Sequence, residues 1–190
     1  SDLGGLFSFG FSLDLLAARA FYEARLDALD ADPFECARFA DLNAMTVEGR
    51  EALAKPVPPV VYSFRGMLAN VTNIEGLDLG TDTPPESIDA SILLAIENAQ
   101  DLVTMAAMMS PEVAALNLLP DGKAKALNLP QLAAVAEQAF AALTQDGLAV
   151  ALGDGGAEQA EAMLSADASA SRPFARFSMD AAKYYEFVGE

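Results

Sequence analysis

Gly153-Asp154-Gly155-Gly156 lies between an apolar run and an amphipathic one, where a phosphate-binding loop would sit between strand and helix. A Walker-type loop closes on Gly-Lys-Ser/Thr so that the lysine reaches the phosphates, whereas here Ala157-Glu158 follows. The dinucleotide fingerprint wants glycine or alanine where Glu158 stands. Asp154, Glu158 and Glu161 place negative charge where an anionic ligand would carry its own. The sequence therefore favours a turn in which glycine supplies positive φ over a ligand loop.

Carboxylates offer a second chemistry. Asp27, Asp30 and Asp32 form one cluster, and Asp78, Asp82, Glu86 and Asp89 another. Hard cations need several oxygens converging at about 2.3–2.6 Å, which makes these seven residues the candidate metal ligands. Neither cluster has the Asp-x-Asp-x-Asp-Gly order of a calcium loop, and a solvated acidic face is the competing reading. Paired carboxylates for glycoside chemistry stay open, because their spacing is spatial rather than sequential. The absence of tryptophan removes the usual sugar platform. Met105, Met108 and Met109 join Leu102 at helical spacing, as an adaptable partner groove or, the favoured expectation, as core. Cys36 is expected to be a buried, inert thiol on a helix, or else to pair with a cysteine outside these residues.

Much chemistry is excluded. The 190 residues hold no histidine and a single cysteine, which removes an intrachain disulfide, the usual zinc sites and Ser-His or Cys-His nucleophiles. Against 28 acidic residues stand 11 basic ones, a formal net charge of −17 that repels phosphate backbones and anionic lipid. Nucleic-acid binding is not expected. Hydrophobic residues make up 53% of the chain, yet no run approaches the ~20 needed to span a bilayer, so no membrane insertion is expected within these residues. The opening SDLGGLFSF lacks a basic n-region and a cleavage site, which suits a cytoplasmic protein or one whose leader has been removed.

The elements that would position these groups follow from periodicity. Residues 7–13 alternate Phe7, Phe9, Phe11 and Leu13 with small residues, predicting a half-buried strand. Asp14 caps a helix to about residue 30. Asp32-Pro33-Phe34-Glu35 reads as a capping box opening a short helix to about 43, with another over 47–55. Pro56, Pro58 and Pro59 end this helical region, and strand composition returns over 60–66 and less clearly over 69–79. Alternation over 87–97 predicts a strand, with Asn98 as N-cap of a helix over 99–109 and Ser110-Pro111-Glu112 opening a short one. A strand over 123–129 and a helix over 130–144 precede the strand 147–153 and helix 156–164 that flank the glycine turn. Residues 165–171 read as a linker, 174–179 as a strand and 180–188 as a helix. Phe11-Ser12-Leu13-Asp14 and Phe177-Ser178-Met179-Asp180 occupy equivalent strand-to-helix joints, each leading to an aromatic pair. Paired ligand sites would explain the echo, but the preference for Ser or Asp at an N-cap explains it more simply.

Pro33-Phe34-Glu35-Cys36, Asp41-Leu42-Asn43, Ser110-Pro111-Glu112 and Asp121-Gly122-Lys123 resemble a group of uncharacterised proteobacterial exported proteins, as do Val150-Ala151-Leu152-Gly153 and Phe177-Ser178-Met179-Asp180. The resemblance carries no catalytic motif. It implies a periplasmic or envelope location, an α+β fold of repeated β-α units and a chain continuing past Glu190. The sequence thus predicts a single α+β domain over 1–190, with possible halves at 1–120 and 121–190. Its sheet should be mixed and largely antiparallel, with helices mainly on one face. The expected function is a non-catalytic cell-envelope protein with a binding or structural role, without a cofactor and with a protein partner left open. A carboxylate-based hydrolase or divalent-cation-binding domain is the alternative.

Overall fold

The computed structural model describes residues 5–76, 85–128, 136–165 and 174–188. The fold is α+β, and the chain divides into two compact units, Leu13–Phe64 and the remainder.

The first unit is helical. Helix α1 (Leu15–Ala31) starts where Asp14 accepts a hydrogen bond from the Ala17 amide at 3.0 Å. A 3₁₀ turn at Ala37–Phe39 leads into one continuous helix, α2 (Ala40–Ala54), where two short helices are expected from sequence. The capping-box helix at Pro33 does not form. Instead Asn43 clamps the incoming chain, accepting from the Phe34 amide and donating to the Phe34 carbonyl at 3.0 and 2.9 Å. Cys36 ends up exposed rather than buried. The expected strand over 60–66 begins instead as a single helical turn, α3 (Pro59–Ser63), with proline at its N-terminus, where a missing N–H costs nothing.

The second unit is built on a seven-stranded sheet of order β4-β5-β6-β3-β2-β1-β7. Its strands are β1 (Phe7–Ser12), β2 (Phe64–Glu75), β3 (Ser87–Ile96), β4 (Lys125–Ala126), β5 (Ala139–Leu143), β6 (Gly147–Leu152) and β7 (Ala175–Met179). β1 with β2 and β7, β3 with β6, and β5 with β4 and β6 all pair antiparallel. The helices are α4 (Ala99–Met109), α5 (Pro111–Leu116), α6 (Gly156–Ser165) and α7 (Ala181–Val188). Ser110 caps α5 as expected, accepting from the Val113 amide at 3.3 Å.

Two expectations change here. Residues 139–143 form a strand instead of the end of a helix, because Leu143 pairs with Leu148 and the turn at Gln145-Asp146 folds β5 back onto β6. The two turn residues lie between Thr144 and Gly147, whose backbones bond across the turn at 2.8 Å, and neither is a glycine, so the alanine-rich composition carried no hairpin signal. Residues 129–135 lie outside the described residues. Asn98 starts α4 without a side-chain cap: its φ of 55° is left-handed, a conformation asparagine tolerates.

The core lies between β3, β5, β6 and α6. Ala142, Ala149 and Ala151 are buried against Ala160 and Met163, and Leu68, Leu93 and Leu164 pack around them. Gly156 fits closely at the start of α6, since a Cβ there would lie 2.9 Å from the Phe140 ring. Leu68 marks the covered face and pairs with Gly10, so Phe9 and Phe11 project from the opposite face.

Candidate functional site

A cleft of about 520 Å³ opens at one end of the covered face, beside the last turn of α6. Its apolar lining includes Leu68, Leu93, Ala95 and Leu164. Two glycines shape it. A Cβ on Gly147 would sit 3.0 Å from the Leu164 side chain, and one on Gly66 would collide with the Phe11 carbonyl oxygen. Neither position has room for a side chain without displacing a neighbour.

Charge gathers at one part of this lining. Arg65, on β2, pairs with Glu97 at 2.6 Å, just beyond the end of β3. Asp146, in the β5–β6 turn, accepts from the Asn98 amide at 3.2 Å, while its own carbonyl accepts from the Ile96 amide at 3.1 Å. The left-handed residue Asn98 turns the chain from β3 into α4, which leaves Glu97 beside the cleft. Thr144 donates its hydroxyl to the Gly147 carbonyl at 3.3 Å. Two carboxylates against one guanidinium leave this part of the cleft net negative, and each carboxylate already accepts a hydrogen bond. Such a lining suits recognition of an apolar body ending in positive charge.

The residues singled out by sequence lie elsewhere. Asp27 and Asp30 reach Arg50 on α2 at 2.8 and 2.5 Å. The Arg50 hydrogen bond holds the Asp30 carboxyl below its ordinary range, and the same two aspartates hold the guanidinium above its own. These acids therefore brace α1 against α2. Asp32 is the C-cap residue of α1, its amide donating to the Ala28 carbonyl. In the other cluster, Asp78 and Asp82 fall outside the described residues. The Glu86 amide donates to the Glu75 carbonyl at 2.8 Å, and the Asp89 carbonyl accepts from the Thr72 hydroxyl at 3.1 Å. Among the described residues, no three acidic or cysteine side chains converge as a metal site.

The glycine turn joins β6 to α6 with Gly153 at φ +91° and Gly155 at φ +71°, the left-handed geometry that glycine allows. Glu161, on α6, accepts from the Ala124 amide and from Lys123 at 3.1 and 3.2 Å. The amide bond first and the lysine second hold its carboxyl below the ordinary range. Met108 and Met109 are 82% and 83% exposed and Met105 is exposed too, so the methionine stripe of α4 is surface where core is the favoured expectation. Sequence reasoning missed Arg65, Glu97 and Asp146, which come from separate segments with no motif to join them.

No protein-family model, curated protein or solved structure matches the chain.

Proposed function

We propose that this is a non-catalytic binding protein of the cell envelope whose cleft receives a ligand with an apolar body and a cationic end. The observation that carries the reading is the combination of an apolar lining with two engaged carboxylates, Glu97 and Asp146, beside a single arginine. A net charge of −17 favours the approach of cations over anions. The lining residues include neither cysteine nor histidine, and its serine and threonine have no histidine beside them to act as a base. The envelope location rests on the resemblance to exported proteins. No helix among the described residues is long and apolar enough to cross a membrane, which is compatible with a periplasmic site.

Displacement of a neutral solvatochromic dye tests the binding role. Decyltrimethylammonium is expected to displace the dye at lower concentration than decanoate, with Ala95→Trp abolishing dye binding and Glu97→Gln narrowing the difference between the two amphiphiles. Absence of saturable dye binding would refute it. A calcium or magnesium melting shift, or a hydrolytic turnover lost on a single carboxylate substitution, would favour the alternative.

A further inference from the structure

Among the described residues β7 ends the sheet, and its pairing with β1 fixes which of its backbone groups point toward that edge. The Ser12 amide donates to the Phe174 carbonyl at 3.1 Å and the Asp180 amide to the Leu6 carbonyl at 3.0 Å. Hydrogen-bonded and non-bonded pairs alternate along an antiparallel ladder, so Arg176 and Ser178 also turn their backbone groups toward β1. Ala175, Phe177 and Met179 direct theirs outward. Phe177 is 65% exposed and faces Phe9, itself 42% exposed. No proline or lysine interrupts β7, although these are common guards of an edge strand.

We propose that a second copy of this chain pairs with β7, antiparallel and in a two-fold register centred on Phe177. In that register Phe177 bonds its own counterpart, and Ala175 bonds Met179 of the other copy. All the outward backbone groups are thereby used. The aromatic row extends from Phe9 and Phe177 of one copy to Phe177 and Phe9 of the other, on the side away from α6. The side chains also fit. Arg176 lies opposite Ser178 and diagonal to Asp180 of the second copy, within reach of a long side chain. This gives two symmetric opposite-charge pairs against one like-charge diagonal, Arg176 with its own counterpart across the two-fold axis. Asp180 keeps its capping role meanwhile, since one oxygen, Oδ1, accepts from both the Ala182 and Lys183 amides at 3.0 and 3.2 Å. The contact is isologous, so it closes at a dimer.

Sedimentation and light scattering on the full chain should show a concentration-dependent dimer. Phe177→Ala is expected to weaken it about tenfold, the worth of a lost aromatic pair. Arg176→Glu, which sets a carboxylate diagonal to Asp180, should weaken it further. Cysteine cross-linking reads the register in a Cys36→Ser background. Phe177→Cys brings its symmetry mates to about 5.5 Å between Cα atoms, within disulfide range, so oxidation should give a covalent dimer. Arg176→Cys leaves them about 8 Å apart and should not cross-link. A monomer at every concentration, or equal cross-linking at the two positions, would overturn the proposal.

Discussion

β6–α6 and β7–α7 are both strand-to-helix units, yet one is the core of its unit and the other is surface. In β6 the alternate residues Gly147, Ala149 and Ala151 are buried, and α6 answers them with buried Gly156, Ala160 and Met163. Small residues on both partners let the helix backbone approach the sheet. β7 alternates as regularly, but four of its five residues are exposed, Phe177 and Met179 among them. Alternation establishes that a segment is a strand. Whether a helix closes over it depends on how near that helix can come.

The largest expected effect sits in the closed unit. Met163→Ala removes a side chain that is 2% exposed and leaves a cavity over Ala149 and Ala151, at a cost of about 2–5 kcal/mol. Phe177→Ala, measured by urea unfolding in dilute solution, should stay within about 0.5 kcal/mol. Equal losses at the two positions would break the contrast between closed and open units.

The two joints are next. Gly153→Ala adds a Cβ at φ +91° that also collides with the Asp89 carboxylate, and it should cost about 2 kcal/mol or more. Gly155→Ala bears only the backbone strain of φ +71°, with nothing within 4 Å of the new Cβ, and should cost about 1 kcal/mol. Adding Asp89→Ala to the first variant should bring the two together. If it does not, Asp89 is not what holds Gly153 to glycine. The aspartate caps differ in kind, because Asp14 and Asp180 start their helices through side-chain bonds that sequence already predicts.

That difference marks what was legible in the chain. Residues whose role is local could be read directly: Asp14 and Ser110 as caps, Gly153 and Gly155 as a turn, and Ile88 through Ile96 as alternating strand. The misreadings concern partners distant in sequence. Ala139–Leu143 has helical composition and becomes a strand only because β6 folds back upon it. The methionines of α4 have the spacing of a core stripe, but spacing cannot say that no described element covers them. The cleft was invisible for the same reason. Arg65, Glu97 and Asp146 come from three separate segments, and no motif joins them. The acidic clusters were visible in sequence, but Arg50, the partner of Asp27 and Asp30, stands 20 residues or more away.

A stabilising change is expected on β2, where the open and closed parts of the sheet meet. Asn70 is 4% exposed, and its Oδ1 has no hydrogen-bond partner among the described residues. Its strand partner Ser8 is engaged instead with Ser178, at 2.6 Å between hydroxyl oxygens. Replacing a side chain whose buried carbonyl oxygen is unsatisfied by a β-branched apolar one removes that desolvation penalty and suits the strand, so Asn70→Val should gain about 1 kcal/mol. A loss of stability in thermal melts would show that Oδ1 has a partner in solution, and that this part of the sheet is wetter than its burial suggests.

The smallest effect separates the units by pH. Glu161 ties α6 to Lys123 and Ala124, and its folded-state pKa lies below the ordinary 4.5. A depressed carboxylate pKa contributes stability that is complete above the unfolded value and is lost as pH falls through the folded one. Glu161→Gln keeps an acceptor for the Ala124 amide but cannot titrate. Between about pH 5 and pH 3 the wild-type chain should therefore lose slightly more stability than the variant. The difference should shrink in high salt, because the Lys123 pair is exposed to solvent. Parallel stability curves for the two proteins would mean that the Ala124 bond holds α6 as well with a neutral partner as with a charged one. The closure of α6 over β6 would then owe nothing to ionisation and rest on the fit of small residues alone.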